Sequence, residues 1–246
     1  MALIVRIDVD RPYGKQGVVR HVASRIGSDY ALPRMEWLGY LDELKTILRI
    51  LNAQGRPAHV FFRKCTYPSP AVCELMEAGN HQFGLHLEDS RSAETFAEEL
   101  GSLERALGRP VAAFSKHGSG RLRLGRHHFP PYEPEKYRGW AQEAGMKVFL
   151  GNLEDPQLRP SEANGLLWFP SAFWLEPHWR DTQKFPIEWL LREAAERDVV
   201  MLLHPDNVTS SPEIMREFLM AIEKLDAAIL PGLPSHRESA SSHTFA

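Results

Sequence analysis

The feature that most restricts what this chain can become is its alternation. Short runs rich in branched and aromatic residues are followed repeatedly by segments whose apolar residues recur every three or four positions. Strands are expected over 2–10, 58–65, 82–89, 111–118, 147–152, 166–175 and 199–205. Helices are expected over 35–55, 69–79, 92–108, 133–145, 186–197 and 211–225. Ser69 followed by Pro70, and Ser211 followed by Pro212, mark helix starts, while Gly55, Gly79 and Gly108 mark helix ends. Residues 11–34 show no such period and read as a long irregular segment, a lid or an interface. Strand–helix alternation implies a parallel sheet covered by helices. About seven strands in one run, with no linker between them, favour a closed or nearly closed α/β barrel over an open doubly wound sheet. No glycine-rich dinucleotide fingerprint follows the first strand, which agrees with that choice. One barrel domain is expected over 1–230, with 231–246 a tail of serine, histidine and charge.

In such barrels the chemistry sits at the C-terminal ends of the strands. The first strand finishes "RIDVDRPYG", residues 6–14, and places Asp8 and Asp10 two apart, on one side. The second ends near Arg63, Lys64 and Cys65, and the third in His86, Glu88 and Asp89. The fourth ends in Ser115, Lys116 and His117, and the last in His204, Asp206 and Asn207. Histidine thus closes three different strands. One carboxylate with two imidazoles makes a divalent-metal site with open positions. A second carboxylate beside it suits a general base on water, and a histidine on the opposite wall suits protonation of a leaving amine. Lys116 is expected to tune the base by its charge. Together these groups describe metal-assisted hydrolysis of an amide or ester.

Plainer readings compete. Asp8 and Asp10 also suit a structural pair that caps loops or binds Arg11, and His86 suits a hydrogen-bonded core histidine. For His81, placed after a helix end, the structural role is the expectation. The basic stretch Arg121–Arg126 reads as a solvated loop, with His127 and His128 either there or on substrate. The aromatic group Trp168, Phe169, Phe173, Trp174 and Trp179 divides between core packing and stacking on a sugar ring.

Charge and cysteine content narrow the classes. A formal net charge of -3 leaves no overall electrostatic footprint for nucleic acid. The two cysteines, Cys65 and Cys73, are expected as free thiols. "MALIVRIDVD" lacks the basic and long apolar regions of a secretory leader, and no apolar run reaches the ~20 residues of a membrane span. A cytoplasmic location is the expectation.

With these motifs in order, the sequence resembles the polysaccharide deacetylase family, the NodB-homology carbohydrate esterases. "IDVD" is similar to that family's Asp-x-Asp element, "PAHVFF" to its following strand, "EAGNHQFGLH" to its first metal-histidine element and "VVMLLHPD" to its last motif. The resemblance spans residues 2–230, and within the family the WbmS-like group, linked to bacterial O-antigen synthesis, is the branch it most resembles. It implies a distorted (β/α)7 barrel, Asp8 as base, Asp10 and His86 as metal ligands and His204 as acid. Two departures stand out. Where the family has a second metal histidine, this chain has Ser90, and where it has Arg-Pro-Pro-Tyr, this chain has Ser115-Lys116-His117-Gly118. Compensation is the expectation: His117 as the third ligand, with Glu88 the alternative, and Lys116 in place of the arginine. Arg11, Arg63, His128 and Tyr132 are the substrate-contact candidates.

The expected function is removal of an acetyl group from an N-acylated sugar, with one divalent ion, zinc first and iron, cobalt, nickel or manganese after it. An N-acetylated sugar, a nucleotide sugar or a lipid-linked glycan is the expected substrate, and the basic loop is expected to meet its phosphates. The alternatives are a barrel that kept its shape and became a carbohydrate-binding or regulatory domain, and an amidase on a small non-sugar amide.

Overall fold

In the computed structural model, residues 1–30, 33–120, 122–177 and 185–231 are described. Among these residues, nine strands form one sheet in the order β6-β7-β5-β4-β3-β2-β1-β9-β8. They are β1 (Leu3–Val9), β2 (His59–Phe62), β3 (Gln82–Leu87), β4 (Ala113–Lys116), β5 (Val148–Leu153), β6 (Ser161–Ala163), β7 (Leu166–Ser171), β8 (Phe173–Trp174) and β9 (Val199–Leu203). Every pairing is parallel except β6 on β7.

The two ends of this sheet are one stretch of chain. β7 pairs with β5 on one side of the sheet, β8 pairs with β9 on the other, and Ala172 alone separates them. Ala172 N–H still donates to Leu153 O, while Leu175 N–H already donates to Leu202 O. The curled sheet is therefore joined into a ring of seven strand positions, the distorted (β/α)7 barrel that the alternation and the resemblance imply.

Period-two alternation divides the apolar residues into two layers. Leu3, Val5, Ile7 and Val9 face the surrounding helices, with Phe62, Leu85, Phe114, Phe149 and Met201 from other strands. Ile4, Phe61, Ala113, Val148, Leu150, Phe169, Val200 and Leu202 fill the barrel interior. Gly84 has to lack a side chain, because a Cβ there would lie 2.4 Å from the Phe61 ring that crosses the interior. The floor is sealed by Leu230, whose N–H donates to His59 Nε2 at 3.3 Å.

Several local expectations need correction. Residues 18–29 form a helix inside the segment read as irregular. Its buried residues are Ser24 and Gly27, whereas Val18, Val19, Val22 and Ile26 are exposed, so its apolar residues do not mark its packed face. The helix expected over 35–55 begins as a 3-10 turn at Glu36–Leu38. It restarts at Asp42–Ala53 after Gly39 and Leu41 adopt left-handed backbone, which leaves Trp37 exposed. β6 and β7 form a hairpin around Asn164-Gly165, both at positive φ, a turn signal that the sequence reading passed over. A short helix at Pro205–Ser210 also follows β9 directly. Of the basic stretch, Arg121 lies outside the described residues, as do Trp179 and residues 232–246 of the expected tail. Among the described residues both cysteines are free thiols, and no helix is long and apolar enough to cross a membrane.

Candidate functional site

Inward-facing positions change character toward the C-terminal ends of the strands. β1 continues from Ile4 to Arg6, Asp8 and Asp10; β3 from Gly84 to His86 and Glu88; β4 from Ala113 to Ser115 and His117; β9 from Leu202 to His204. One mouth of the barrel thus collects the polar residues.

Three of them converge. Asp10 Oδ1 lies 3.1 Å from His86 Nε2 and 3.0 Å from His117 Nδ1, and the two imidazole nitrogens are 3.2 Å apart. The donor atoms of all three lie within 4.8 Å of one another. Among the described residues, Asp10 Oδ1 and His117 Nε2 are buried without a hydrogen-bond partner. A buried carboxylate oxygen in that state, set against two imidazole nitrogens, is the donor set that a divalent cation satisfies. Burial pushes Asp10 up, but the facing imidazoles of His117 and His204 outweigh it and hold the carboxyl well below its usual range. Burial, with Arg63 adding to it, brings His117 down to about 3 and keeps its ring neutral. Ionised carboxylate and neutral imidazole are the forms that bind metal.

The supporting shell orients these donors. Ser115 Oγ is 2.7 Å from His86 Nδ1 and also donates to Asp8 Oδ1 at 3.4 Å, so His86 presents Nε2 to Asp10. Asp8, 2% exposed, is gripped by Arg6: Nε donates to Oδ1 at 2.9 Å and Nη2 to Oδ2 at 2.6 Å. Arg6 Nη1 donates to the carbonyls of Leu150 and Gly151, and Nη2 to Asn152 Oδ1. The β5–β7 register shifts between Leu150 and Leu153, and Arg6 takes up the carbonyls at this irregularity. Burial raises Asp8, but Arg6 and His86 outweigh it, so the carboxyl lies below its ordinary value.

On the opposite wall His204 Nε2 stands 3.4 Å from Asp10 Oδ2, and Nδ1 is 2.6 Å from Glu176 Oε1. Glu176 also accepts from the backbone of His204 and from Asn207 Nδ2. Burial works against the imidazolium, yet Glu176 and Asp10 overcome it and push His204 up to about 10.

The expected site residues divide accordingly. Asp8, Asp10, His86, His117 and His204 come together. Lys116 does not join them: its parity turns it outward from the barrel, and its ammonium donates to His117 O at 2.6 Å. Burial lowers its pKa to about 8. The charge beside Asp8 is Arg6, from the same strand. Glu88, the alternative ligand, faces inward but is held in a buried ion pair with Arg63. Ser90 Oγ is 3.2 Å from the Tyr137 hydroxyl. Arg11 and Arg63 line a cleft of about 420 Å³ over Asp10 and His117. His128 and Tyr132 do not line it; their polar atoms bond backbone, His128 to His117 O and Leu124 N, Tyr132 to Asn152 N. His81 is structural, with Nδ1 accepting from Ala58 N–H. Phe169 and Phe173 pack in the core, whereas Trp174 lines a smaller cleft beside His204. The sequence reading missed Arg6, Asn152 and Glu176. Arg6 carried a signal, a charge in mid-strand in phase with Asp8 and Asp10.

The fold and site together define a class: an α/β barrel with a three-donor metal-competent centre flanked by a held carboxylate and a held imidazole. No known family's sequence model matches the chain, and no curated protein sequence does. Solved structures do match. One is a mutant of BA3943, described as a CE4 family pseudoenzyme with restored enzymatic activity, at 12% identity and TM-score 0.44 over 91% of this chain. The present chain spans 61% of that one. Another is the chitin deacetylase of the fungal pathogen Colletotrichum lindemuthianum, at 10% identity and TM-score 0.49, covering 92% of this chain and 84% of that one.

Proposed function

We propose that the protein is a metal-dependent hydrolase that removes an acyl group, acetyl first, from the nitrogen of an N-acylated sugar. The observation that carries this reading is the meeting of Asp10, His86 and His117 between the arginine-held Asp8 and the carboxylate-held His204. Asp10 Oδ1, His86 Nε2 and His117 Nδ1 would hold one divalent ion. Zinc is the first choice for this oxygen and nitrogen set, with iron, cobalt, nickel and manganese after it. When bound, such an ion supplies Lewis acidity toward an acyl carbonyl and toward water.

The chain's own groups do the rest. Asp8 receives the proton of the attacking water, and Arg6 fixes its carboxylate in orientation. His204 carries a proton on Nε2 and delivers it to the departing amine nitrogen, while Glu176 on Nδ1 sustains the imidazolium. Trp174, beside His204, offers a face to a sugar ring. A role in bacterial surface polysaccharide synthesis, of the O-antigen kind, rests on the sequence resemblance.

Elemental analysis beside an assay of amine release from N-acetylated sugars tests the reading. The expected result is about one equivalent of metal in the wild type, lost with activity in both Asp10→Ala and His117→Ala. Loss in Asp10→Ala alone would return the third ligand to Glu88. A wild-type protein that holds no metal after loading with zinc, iron or cobalt would overturn the reading.

A further inference from the structure

The cleft over Asp10 and His117 has a wall that hydrolysis of a neutral amide does not call for. Five arginines line it, Arg11, Arg25, Arg63, Arg123 and Arg126, and the carboxylates that line it are Asp10 and Asp29. In a chain of net charge -3 this is a marked local excess. Two of the five have carboxylate partners: Arg63 is paired with Glu88, and Arg11 Nε lies 3.6 Å from Asp206. The other three have none among the described residues. Arg123 donates to the carbonyls of Gly125 and Arg126, which are neutral acceptors. The Arg126 guanidinium lies over the Tyr30 ring at 5.5 Å. Arg25 is exposed on the helix 18–29.

These three cations come from two separate segments that are fastened to each other. Asp29, at the end of the helix, accepts the Arg126 backbone N–H through Oδ1 at 2.6 Å. That donor is neutral, so Asp29 keeps its charge, and one carboxylate against three unpaired guanidinium groups leaves the wall cationic. Guanidinium groups recognise tetrahedral oxyanions through paired N–H donors, and three of them exceed what a single carboxylate can use.

We infer that the substrate carries a phosphoryl group, a phosphate or pyrophosphate ester, which Arg25, Arg123 and Arg126 hold while the acyl group reaches Asp10, His86 and His117. This rests on the hydrolase reading above, and it names the class of substrate. The helix 18–29 and the loop 122–128 then form the substrate's anion clamp.

Titration calorimetry of the zinc-loaded protein tests it, with N-acetylglucosamine, its 1-phosphate, its uridine diphosphate ester and N-acetylglutamate as probes. The phosphorylated sugars are expected to bind about tenfold or more tighter than the neutral one, with the gain shrinking as salt rises. Arg25→Ala combined with Arg123→Ala should abolish that gain and leave the neutral sugar's affinity unchanged, while Arg123→Lys should keep part of it. The monophosphate and diphosphate arms tell a simple ester from a pyrophosphate. Equal affinity for neutral and phosphorylated sugars, a gain that survives the double variant, or an equal gain from the carboxylate of N-acetylglutamate would each overturn the inference. Acetate release from the same probes separates the two claims. Arginine-dependent binding without release would support the clamp and remove the hydrolase. Faster release from the neutral sugar than from either phosphorylated one would remove the clamp and support the hydrolase.

Discussion

The two ends of the barrel interior are built from the same strands and the same inward-facing positions, yet they do opposite things. At the floor Ile4, Phe61, Ala113, Val148, Val200 and Leu202 exclude water and pack. Two to six residues further along, Asp8, Asp10, His86, Ser115, His117 and His204 turn the same faces into a polar cluster. Arg6 is the boundary, fully buried, with the apolar floor on one side and Asp8 on the other. The strand geometry is identical at both ends, so position alone does not make a site. What differs is the residue type at each inward position, apolar at the floor and polar at the mouth, where the protein does not satisfy every polar group. Arg6, Asp8 and Glu176 have protein partners, whereas among the described residues Asp10 Oδ1 is left without a hydrogen bond.

Substitutions at the two ends should therefore separate into losses of chemistry and losses of stability. The largest effect is expected at the mouth. His204→Asn should lower kcat by roughly 10²–10⁴-fold while metal content stays at the wild-type level, measured by turnover beside elemental analysis. Glu176→Gln should fall in the same direction and by less, since the imidazole remains. At the boundary, Arg6→Met removes the buried guanidinium that grips Asp8 through two hydrogen bonds and should cost about 3–5 kcal/mol in urea unfolding. Adding Asp8→Asn to it should restore part of that, because the charge left without its guanidinium is gone; a double variant no more stable than the single one would break the account of Arg6.

The floor predicts smaller changes. His59 is held neutral by burial, with His81 adding to the effect, and its pKa is down to about 3. A group depressed in this way contributes stability above its unfolded pKa of about 6.5, and that contribution is lost as pH falls below 6.5 toward the folded value. Between pH 6.5 and 5 the wild type should lose roughly 2 kcal/mol from this group. His59→Gln, which keeps an acceptor for Leu230 N–H, should lose correspondingly less when unfolding midpoints are compared across that range. Smallest of all, Ile4→Val should cost about 0.5–1.5 kcal/mol and leave metal binding and turnover unchanged.

How much of this was legible beforehand followed from parity. Because strand residues alternate sides, "IDVD" and "LHLED" could be assigned to one interior with no structure at hand, and His117 could be proposed to replace what Ser90 does not supply. The same rule turns Lys116 away from the base it is expected to tune: it is one residue from both Ser115 and His117, so it points the other way. Arg6 was passed over as part of an apolar strand, although a charge at mid-strand in phase with two aspartates is unusual. Glu176 could not be found by reading, since its meeting with His204 depends on the chain switching neighbours at Ala172. The helix 18–29 stayed hidden because it packs through Ser24 and Gly27 and exposes its valines, the reverse of the usual pattern.

That switch at Ala172 has a use for anyone who reshapes this protein. The ring is fastened like a bracelet, by a clasp of chain between β7 and β8. The three metal-competent residues sit on β1, β3 and β4 or just beyond them, across the ring from the clasp, whereas Glu176 lies two residues past the end of β8. The hairpin that leads into the clasp, β6 and its Asn164-Gly165 turn, is thus the natural splice point. That turn enters β7 at the floor end, beside Leu166, so grafts of other lengths there would leave both the acid and the ligand arc as they are.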